Sequence, residues 1–434
     1  MNTAIQSSGT GLRPEVAHFQ AHFERHENEV FGLEPSWLIS LRRAAIARFT
    51  EVGFPTLKDE EWRYTNVRPI AEVSFRPAMS GTGALSADDL HEILSGAPGC
   101  RLVFLNGKYA PELSTANRLP KGVIAGSLAQ QWTTNPQLLE GHLAQYARYL
   151  NNPFVALNTA LMEDGAFMQI ARGIVIEEPI YLLFIATRPQ EPMVIHPRNL
   201  IVMEQSSQAK IVEKYVGLYG QAGEESCSTT TGVCPYLTNV VTEIVAAPNA
   251  ILDHYKLQRE SESAFHVATI QIQLAGDCTF SSHAISFGGA LVRNDINAVL
   301  SGEGIECTLN GLNMATGHQH VDTHTLIDHA LPRCTSHELY KTILDGHATG
   351  VFNGKILVRP NAQKTDAKQT NQNLLLSEDA LINTKPQLEI FADDVRCTHG
   401  ATVGQLDEDA IFYLRTRGVG LEEARNLLTY AFAS

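Results

Sequence analysis

The sequence predicts a mainly β protein with a parallel β-solenoid core and helical regions before and after it. Three observations indicate this fold class. Helical periodicity is confined to the two ends of the 434-residue chain. Short runs of alternating polar and apolar residues, such as HVATIQIQL, fill the part between them. A turn of small residues followed by an alternating run recurs there at uneven intervals, which favours stacked coils and leaves a β-sandwich as the alternative.

The composition narrows the class of protein further. With 44% hydrophobic and 18% charged residues, the chain can bury the cores of two or three domains. A net charge of -14 without any basic tract argues against nucleic acid as a partner. The first residues lack a signal-peptide pattern, and no apolar run approaches the roughly 20 residues that a membrane span requires. We therefore expect a cytoplasmic protein without membrane contact, and we interpret the seven scattered cysteines as reduced thiols.

Residues 1–155 are predicted to form a mostly helical N-terminal domain. Its first part has the period of two amphipathic helices, with Phe19 and Phe23 on the apolar stripe of the first and Leu38 and Phe49 on that of the second. We therefore expect two amphipathic helices in this part of the chain.

Two later segments of this region have their own signals. RLVFLNGKYA reads as a β-hairpin that turns at Asn106 and Gly107. The stretch from Leu138 to Leu150 has helical periodicity, so we expect a helix there.

Residues 156–404 are predicted to form the solenoid. The polar run KQTNQN at positions 368–373 is interpreted as part of an amide ladder between coils. The stretch YGQAGEESCSTTTGVCP is interpreted as a surface insertion. The recurring turn-and-strand pattern is seen in SSQAKIVEKYV, APNAILDHYKL, AGDCTFSSHAIS, GEGIECTLNGLN and DGHATGVFNGKILV.

Residues 405–434 are predicted to form a C-terminal helical domain, with Asp407 as the N-cap of its first helix. A helical pair of this size lacks a core of its own, so it packs on the solenoid or offers an apolar face to a partner. Leu428, Tyr430 and Phe432 are the candidate partner-binding residues.

The candidate metal site is the pair Cys397 and His399 near the end of the solenoid. Alternate residues of a strand point to the same side, so the thiol and the imidazole share one face. Both are ligands for soft or borderline metals, but two ligands make only half of a tetrahedral site. Gly400 and Gly404 allow another backbone or a ligand to come close. The alternative is a structural cysteine beside a hydrogen-bonded histidine.

A second segment, HQHVDTHTLIDHALPRCTSHE, is richer in potential ligands. His320, Asp322 and His324 would share one strand face there. The spacing matches neither HExxH nor CxxC, so we expect these side chains to satisfy one another rather than to bind a metal.

No catalytic motif is recognised in the sequence. GVFNGKI has the wrong spacing for a P-loop, and no GxSxG or strand-borne GxGxxG occurs. We therefore expect a protein that is not an enzyme.

The C-terminal sequence NTKPQLEIFADDVRCTHGATVGQLDEDAIFYLRTRGVGLEEARNLLTYAFA resembles the SufB/SufD family of iron–sulfur cluster assembly proteins. The run ADDV-x-C-x-HGA-x-VG is highly specific for that family. The similarity extends through LNTALMEDGAFMQIARG and KTDAKQTNQNLLLS to DEEWRYTN, which is nearly the whole chain. SufB-type members typically have glutamate directly after the histidine, whereas Gly400 stands here, as expected for the SufD branch.

The resemblance implies a right-handed parallel β-helix between two helical domains. It implies a non-catalytic scaffold subunit that pairs with SufB across the β-helix and binds the SufC ABC-type ATPase through its C-terminal helices. His399 would then be a ligand of the nascent cluster, facing a SufB cysteine, with Cys397 in support. The cluster would be transient and absent from the isolated chain. Reduced FAD is associated with such complexes, but no flavin motif is present in this sequence.

The sequence also leaves two alternative functions to compare with this one. A solenoid carbohydrate-acting enzyme would need a carboxylate pair, for which Asp393 and Asp394 are the candidates. Adjacent strand residues point to opposite faces, so these two cannot flank one glycosidic bond. A homodimeric scaffold of the isolated chain would have to hold a cluster without SufB, which the dispersed cysteines disfavour.

Overall fold

The computed structural model describes residues 13–30, 32, 34–78, 87–116, 119–187, 190–218 and 234–434. In these residues the chain forms a parallel β-helix of two sheets, preceded and followed by helices. The predicted mainly β fold is therefore confirmed. Parallel pairing between every second strand excludes the β-sandwich. Most of the insertion predicted around YGQAGEESCSTTTGVCP lies outside the described residues.

The helices lie at the two ends of the chain and beside the first coils. None of the described helices is long and apolar enough to cross a membrane. They are α1 Pro14–Val30, α2 Ser36–Val52, α3 Arg68–Ala71, α4 Ala87–Ser95, α5 Leu128–Thr134, α6 Gln137–Glu140, α7 Pro153–Leu161, α8 Glu408–Thr416 and α9 Leu421–Ala433, with 3-10 turns at Glu60–Trp62 and Pro111–Leu113.

The strands begin in the N-terminal region and run almost to the C-terminal helices. They are β1 Arg76–Pro77, β2 Cys100–Leu105, β3 Lys108–Tyr109, β4 Val123–Ser127, β5 Ala166–Ile170, β6 Ile180–Ala186, β7 Met193–Ile195, β8 Arg198–Met203, β9 Gln208–Gly217, β10 Tyr236–Ala246, β11 Ile251–Glu260, β12 Phe265–Leu274, β13 Thr279–Gly288, β14 Leu291–Leu300, β15 Glu306–Ala315, β16 His320–His329, β17 Thr335–Leu344, β18 Thr349–Val358, β19 Asp366–Leu375, β20 Leu381–Ile390 and β21 Arg396–Gly404.

Each coil of the solenoid contributes one strand to each sheet. The first sheet follows the order β20-β18-β16-β14-β12-β10-β8-β5-β4, and the second follows β21-β19-β17-β15-β13-β11-β9-β6-β2-β3. Phe265 pairs with Leu291 and Thr349 pairs with Leu381, so the repeat length differs from coil to coil. This unevenness is what the sequence pattern predicted. Alternate residues point inward, and the apolar ones among them form a core cluster that runs from β2 to β18.

The corners of the coils explain the turns of small residues. The residue two positions before every strand of the second sheet from β9 to β19 has a left-handed backbone, which turns the chain sharply between the sheets. Asn and Asp adopt this conformation more readily than most residues, and glycine adopts it without strain. The corner residues and their φ values are Ser206 (59°), Asn249 (60°), Asp277 (56°), Gly304 (69°), Arg333 (60°) and Lys364 (62°).

The N-terminal helices pack against the outer face of the first sheet through an aromatic cluster. The two predicted amphipathic helices are confirmed as α1 and α2, and Phe19 and Phe49 are fully buried between them. The rings of Trp62 and Phe154 stack with centroids 5.3 Å apart. Phe265 of β12 belongs to the same cluster, so the helical region and the solenoid share a core.

The helix predicted from Leu138 to Leu150 is wrong beyond α6. The buried carboxylate of Glu243 accepts backbone N–H groups of Ala144, Tyr146 and Ala147 at 2.8–2.9 Å. These N–H groups are thereby withdrawn from helical hydrogen bonding, and Ala144 takes a φ of 61°. A contact with a distant strand therefore overrides the local helical pattern.

Two further predictions concern the hairpin and the cysteines. The hairpin at Asn106 and Gly107 is confirmed, and its first strand, β2, joins the second sheet by pairing with β6. Five of the cysteines in the described part of the chain carry free thiols. Cys234 is disulfide-bonded, so the prediction of reduced thiols throughout is wrong at this position.

Candidate functional site

The strand that carries the predicted site, β21, is the edge of the second sheet. It pairs only with β19. In β19 the inward-facing Asn373 is 3% exposed, whereas Val403, which is in register with it on β21, is 50% exposed. No further coil in the described chain covers this end. The inward face of the last coil is therefore open.

Cys397 and His399 lie on this open inward face. They are in register with Ala367 and Gln369, which are both buried, so the two side chains continue columns that run through the solenoid. Cys397 is half-buried against the cluster that contains Ile356. Its burial, with a smaller contribution from the Asp366 carboxylate, raises the pKa of the Cys397 thiol. His399 is exposed.

The structure brings together the thiol and the imidazole that the sequence singled out, but only these two. Among the residues that the structure describes, no group of three or more His, Cys, Asp and Glu side chains could hold a metal ion. A complete ligand set at this edge therefore requires groups from another molecule.

The histidine-rich strand β16 has the opposite character. The Asp322 carboxylate forms ion pairs with Arg293 at 2.5 Å and with His324 at 3.2 Å, and all three side chains are at least largely buried. Nδ1 of His324 lies 3.1 Å from a Glu61 carboxylate oxygen of the N-terminal region. Although burial lowers it, the neighbouring Asp322 carboxylate raises the pKa of His324 to about 9.

These partners leave no role for β16 as a metal site. The other histidine on this strand face, His320, lies 2.8 Å from the Thr65 hydroxyl and 2.6 Å from that of Thr349. The side chains satisfy one another, as the sequence analysis expected, and they join the N-terminal region to the solenoid.

The candidate partner-binding residues of α9 fall into two groups. Tyr430 is 74% exposed and lines a surface groove with Val419 and Leu427. Leu428 and Phe432 are half-buried, and the Lys341 ammonium of β17 lies 5.7 Å from the centre of the Phe432 ring. Lys341 also donates a hydrogen bond to the Phe432 carbonyl at 2.8 Å.

Sequence reasoning missed several exposed apolar residues of the same helical pair. The apolar stripe predicted for α9 includes Leu428 and Phe432, which are half-buried. The solvent-exposed side of α8 and α9 carries large apolar residues of its own. Asp407 caps α8 as predicted, accepting the backbone N–H groups of Asp409 and Ala410. The additional exposed residues are Phe412, Tyr413 and Leu427.

One of the two carboxylates of the carbohydrate-enzyme alternative, that of Asp394, is held in a turn of the solenoid. Asp394 forms an ion pair with Lys364 at the last corner of the solenoid. Its backbone carbonyl also accepts the Lys364 N–H at 2.7 Å. Asp394 therefore stabilises the turn. The carbohydrate-enzyme alternative is left without one of its two proposed catalytic carboxylates.

Fold and site together define a parallel β-helix protein with an incomplete Cys/His ligand set at its open end and a helical pair with an uncovered apolar side. Residues 184–432 match the family model described as SUF system FeS cluster assembly, SufBD core domain. Residues 15–182 match the SufBD protein N-terminal region. The chain belongs to the SufBD family of iron–sulfur cluster assembly proteins.

Three relatives illustrate the similarity. An iron–sulfur cluster assembly SufBD family protein of Synechocystis is 36% identical over 410 residues, which cover 93% of this chain and 88% of the relative. The iron–sulfur cluster assembly protein SufD of Escherichia coli is 32% identical over 391 residues, covering 90% and 86%. The chloroplastic protein ABCI7 of Arabidopsis thaliana is 29% identical over 405 residues, covering 91% and 81%.

Proposed function

We propose that this chain is a SufD-type, non-catalytic scaffold subunit that pairs with SufB, docks the SufC ATPase and helps to form a nascent iron–sulfur cluster between the subunits. One observation carries the proposal. His399 is exposed beside Cys397 on the open inward face of an edge strand, where a second chain can supply the missing ligands.

The chemistry of the pair suits a shared cluster. A neutral imidazole is a competent ligand for iron, and iron–sulfur clusters are usually held by four protein ligands. Because Cys397 is half-buried with a raised pKa, it is the weaker ligand of the two, and His399 is the group that reaches the cluster first. The iron and sulfide are cargo of this site rather than a resident cofactor.

The end of the solenoid also suits a partner of similar fold. Strand β21 has an unpaired backbone edge, which can extend its sheet onto a second β-helix. Leu381, Phe391 and Val403 add exposed apolar side chains at the same end. We infer that SufB covers this end and contributes its own cysteine to the cluster.

The C-terminal helical pair supports the docking of SufC. Tyr430, Phe412 and Tyr413 are each more than half exposed, and large aromatic side chains of this kind are frequent anchors of protein interfaces. Reduced FAD would supply electrons in the assembled complex. No residue of this chain is assigned to it.

The test is co-expression of the chain with SufB and SufC, followed by size-exclusion chromatography and by ultraviolet–visible and Mössbauer spectra. We expect one complex that contains all three proteins and carries iron and sulfide. The chain purified alone is expected to be colourless and without stoichiometric iron, because it offers two ligands only. A reproducible cluster spectrum from the isolated chain, or no association with SufB, would contradict the proposal.

A further inference from the structure

A column of buried polar side chains leads through the solenoid to His399. Glu338 on β17 is in register with Gln369 on β19, and Gln369 is in register with His399 on β21. Glu338 is 3% exposed and Gln369 is 1% exposed. Polar side chains so deeply buried require a specific set of hydrogen bonds.

These hydrogen bonds fix the orientation of the Gln369 amide. Gln369 Nε2 donates to Glu338 Oε2 at 2.8 Å, and the Thr325 hydroxyl donates to Glu338 Oε1 at 2.5 Å. Burial raises the pKa of Glu338 to about 7, and above that pH the opposite orientation would place the amide oxygen against a carboxylate oxygen, so Nε2 faces the ionised Glu338.

The other end of the same amide is left without a partner. Gln369 Oε1 is buried and accepts no hydrogen bond from any described residue. Because Nε2 points back toward β17, Oε1 lies on the side of the amide toward β21, where His399 is the residue in register. A buried acceptor without a donor is unfavourable, and the residue in register on β21, His399, carries an imidazole N–H that can donate.

We propose that Gln369, oriented by Glu338, is a positioning residue for His399. Its Oε1 accepts one ring N–H of His399, which directs the lone pair of the other ring nitrogen away from the solenoid, toward iron. This inference rests on the proposed function, because it concerns the same histidine.

A hydrogen bond from His399 to Gln369 would fix the tautomer of the exposed imidazole. A neutral imidazole carries one N–H and one lone pair, and an exposed ring exchanges between its two tautomers. Histidines that bind metals usually donate their remaining N–H to a fixed oxygen, which selects the tautomer and holds the ring. Gln369 supplies such an oxygen from within the preceding coil.

Three substitutions separate this role from general packing. Gln369→Met removes the amide but keeps an unbranched side chain of similar length. Glu338→Met removes the acceptor that orients the amide, whereas Glu338→Gln retains an acceptor and should preserve the arrangement. The matched control is Asn373→Ala, which removes another buried amide of β19 that is in register with Val403 and not with a histidine.

The first measurement uses the isolated full chain with nitrogen-15-labelled histidine, and His399→Ala assigns the signal. We expect a ring N–H proton of His399 that exchanges slowly with water in the wild type, Glu338→Gln and Asn373→Ala chains. It should vanish in Gln369→Met and Glu338→Met. This readout does not depend on iron, so it tests the positioning by itself.

The second measurement is the iron and sulfide content of the complex co-expressed with SufB and SufC. We expect Gln369→Met to lower the content about tenfold while the yield of complex is kept. A His399 ring signal that survives Gln369→Met, no such signal in the wild type, or full loading of the Gln369→Met complex overturns the inference. Full loading of the His399→Ala complex would instead overturn the proposed function itself.

Discussion

Strands β16 and β21 both carry side chains of the kinds that serve as metal ligands, yet they present them in opposite ways. On β16, His324 and Asp322 are enclosed by Arg293 and by the N-terminal region. On β21, His399 lies at an edge with one neighbouring strand. The segment with more potential ligands is therefore structural, and the one with fewer ligands is the candidate site. Whether a ligand is available depends on what covers the strand.

The largest effect should come from breaking the enclosed cluster of β16. Arg293→Met removes the partner of two acidic side chains and leaves Asp322 charged and buried. Loss of one partner of a buried ion pair typically costs about 3–5 kcal/mol. We expect a loss of that size in the free energy of unfolding, measured by urea denaturation.

The control for this prediction is an exposed ion pair that joins the same two regions. Lys385 contacts Glu60 at 2.8 Å, and both side chains are well exposed. Lys385→Met should therefore change stability by less than about 1 kcal/mol. Equal effects of the two substitutions would show that the β16 cluster is not the structural element described above.

Part of this contrast was visible in the sequence. Because side chains alternate along a strand, His320, Asp322 and His324 were expected on one face. The absence of a zinc-type spacing indicated that they would form hydrogen bonds with one another rather than bind a metal. Their partners were not visible, because Arg293 lies one coil away and Glu61 lies in another domain. The helix predicted after Leu138 failed for the same reason, since Glu243 acts from a strand about a hundred positions later in the chain.

The next effect concerns pH. The pKa of His324 is raised from its ordinary value of 6.5 to about 9 in the folded protein. The ion pair therefore stabilises the fold fully below pH 6.5, and this contribution disappears as the pH rises through 9. Its size is on the order of 3 kcal/mol. Urea midpoints at pH 6, 8 and 10 should fall more steeply for the wild type than for His324→Gln. Parallel curves would contradict this assignment.

Helix α9 also has residues that pack on the solenoid and residues that are exposed. We expect substitutions there to have smaller effects than those on β16. Tyr430→Ala should weaken binding of SufC at least about tenfold without changing the melting temperature, because this ring is uncovered. Phe432→Ala should lower the melting temperature of the isolated chain, because its ring packs on Lys341. Titration calorimetry and thermal unfolding of both variants distinguish the two roles. Wild-type affinity of Tyr430→Ala would remove this residue from the interface.

The sequence identified Cys397 and His399, but it could not show why they are accessible. Their shared face follows from strand alternation alone, and the family motif drew attention to them. Their exposure depends on β21 being the last strand of its sheet, which only the coil register reveals. The role inferred for Gln369 depends on the same register and on one amide orientation, neither of which a linear motif contains.

We propose that His399 is a ligand offered to a partner and not a core histidine. The most direct test is the iron and sulfide content of the co-expressed complex that carries His399→Ala, with His318→Ala and His320→Ala as controls. We predict that His399→Ala changes the melting temperature by less than about 2 °C, keeps the yield of complex and lowers cluster content at least about tenfold. The two controls should load fully. Full cluster loading with His399→Ala, or a large loss of stability and assembly in parallel, would contradict the claim.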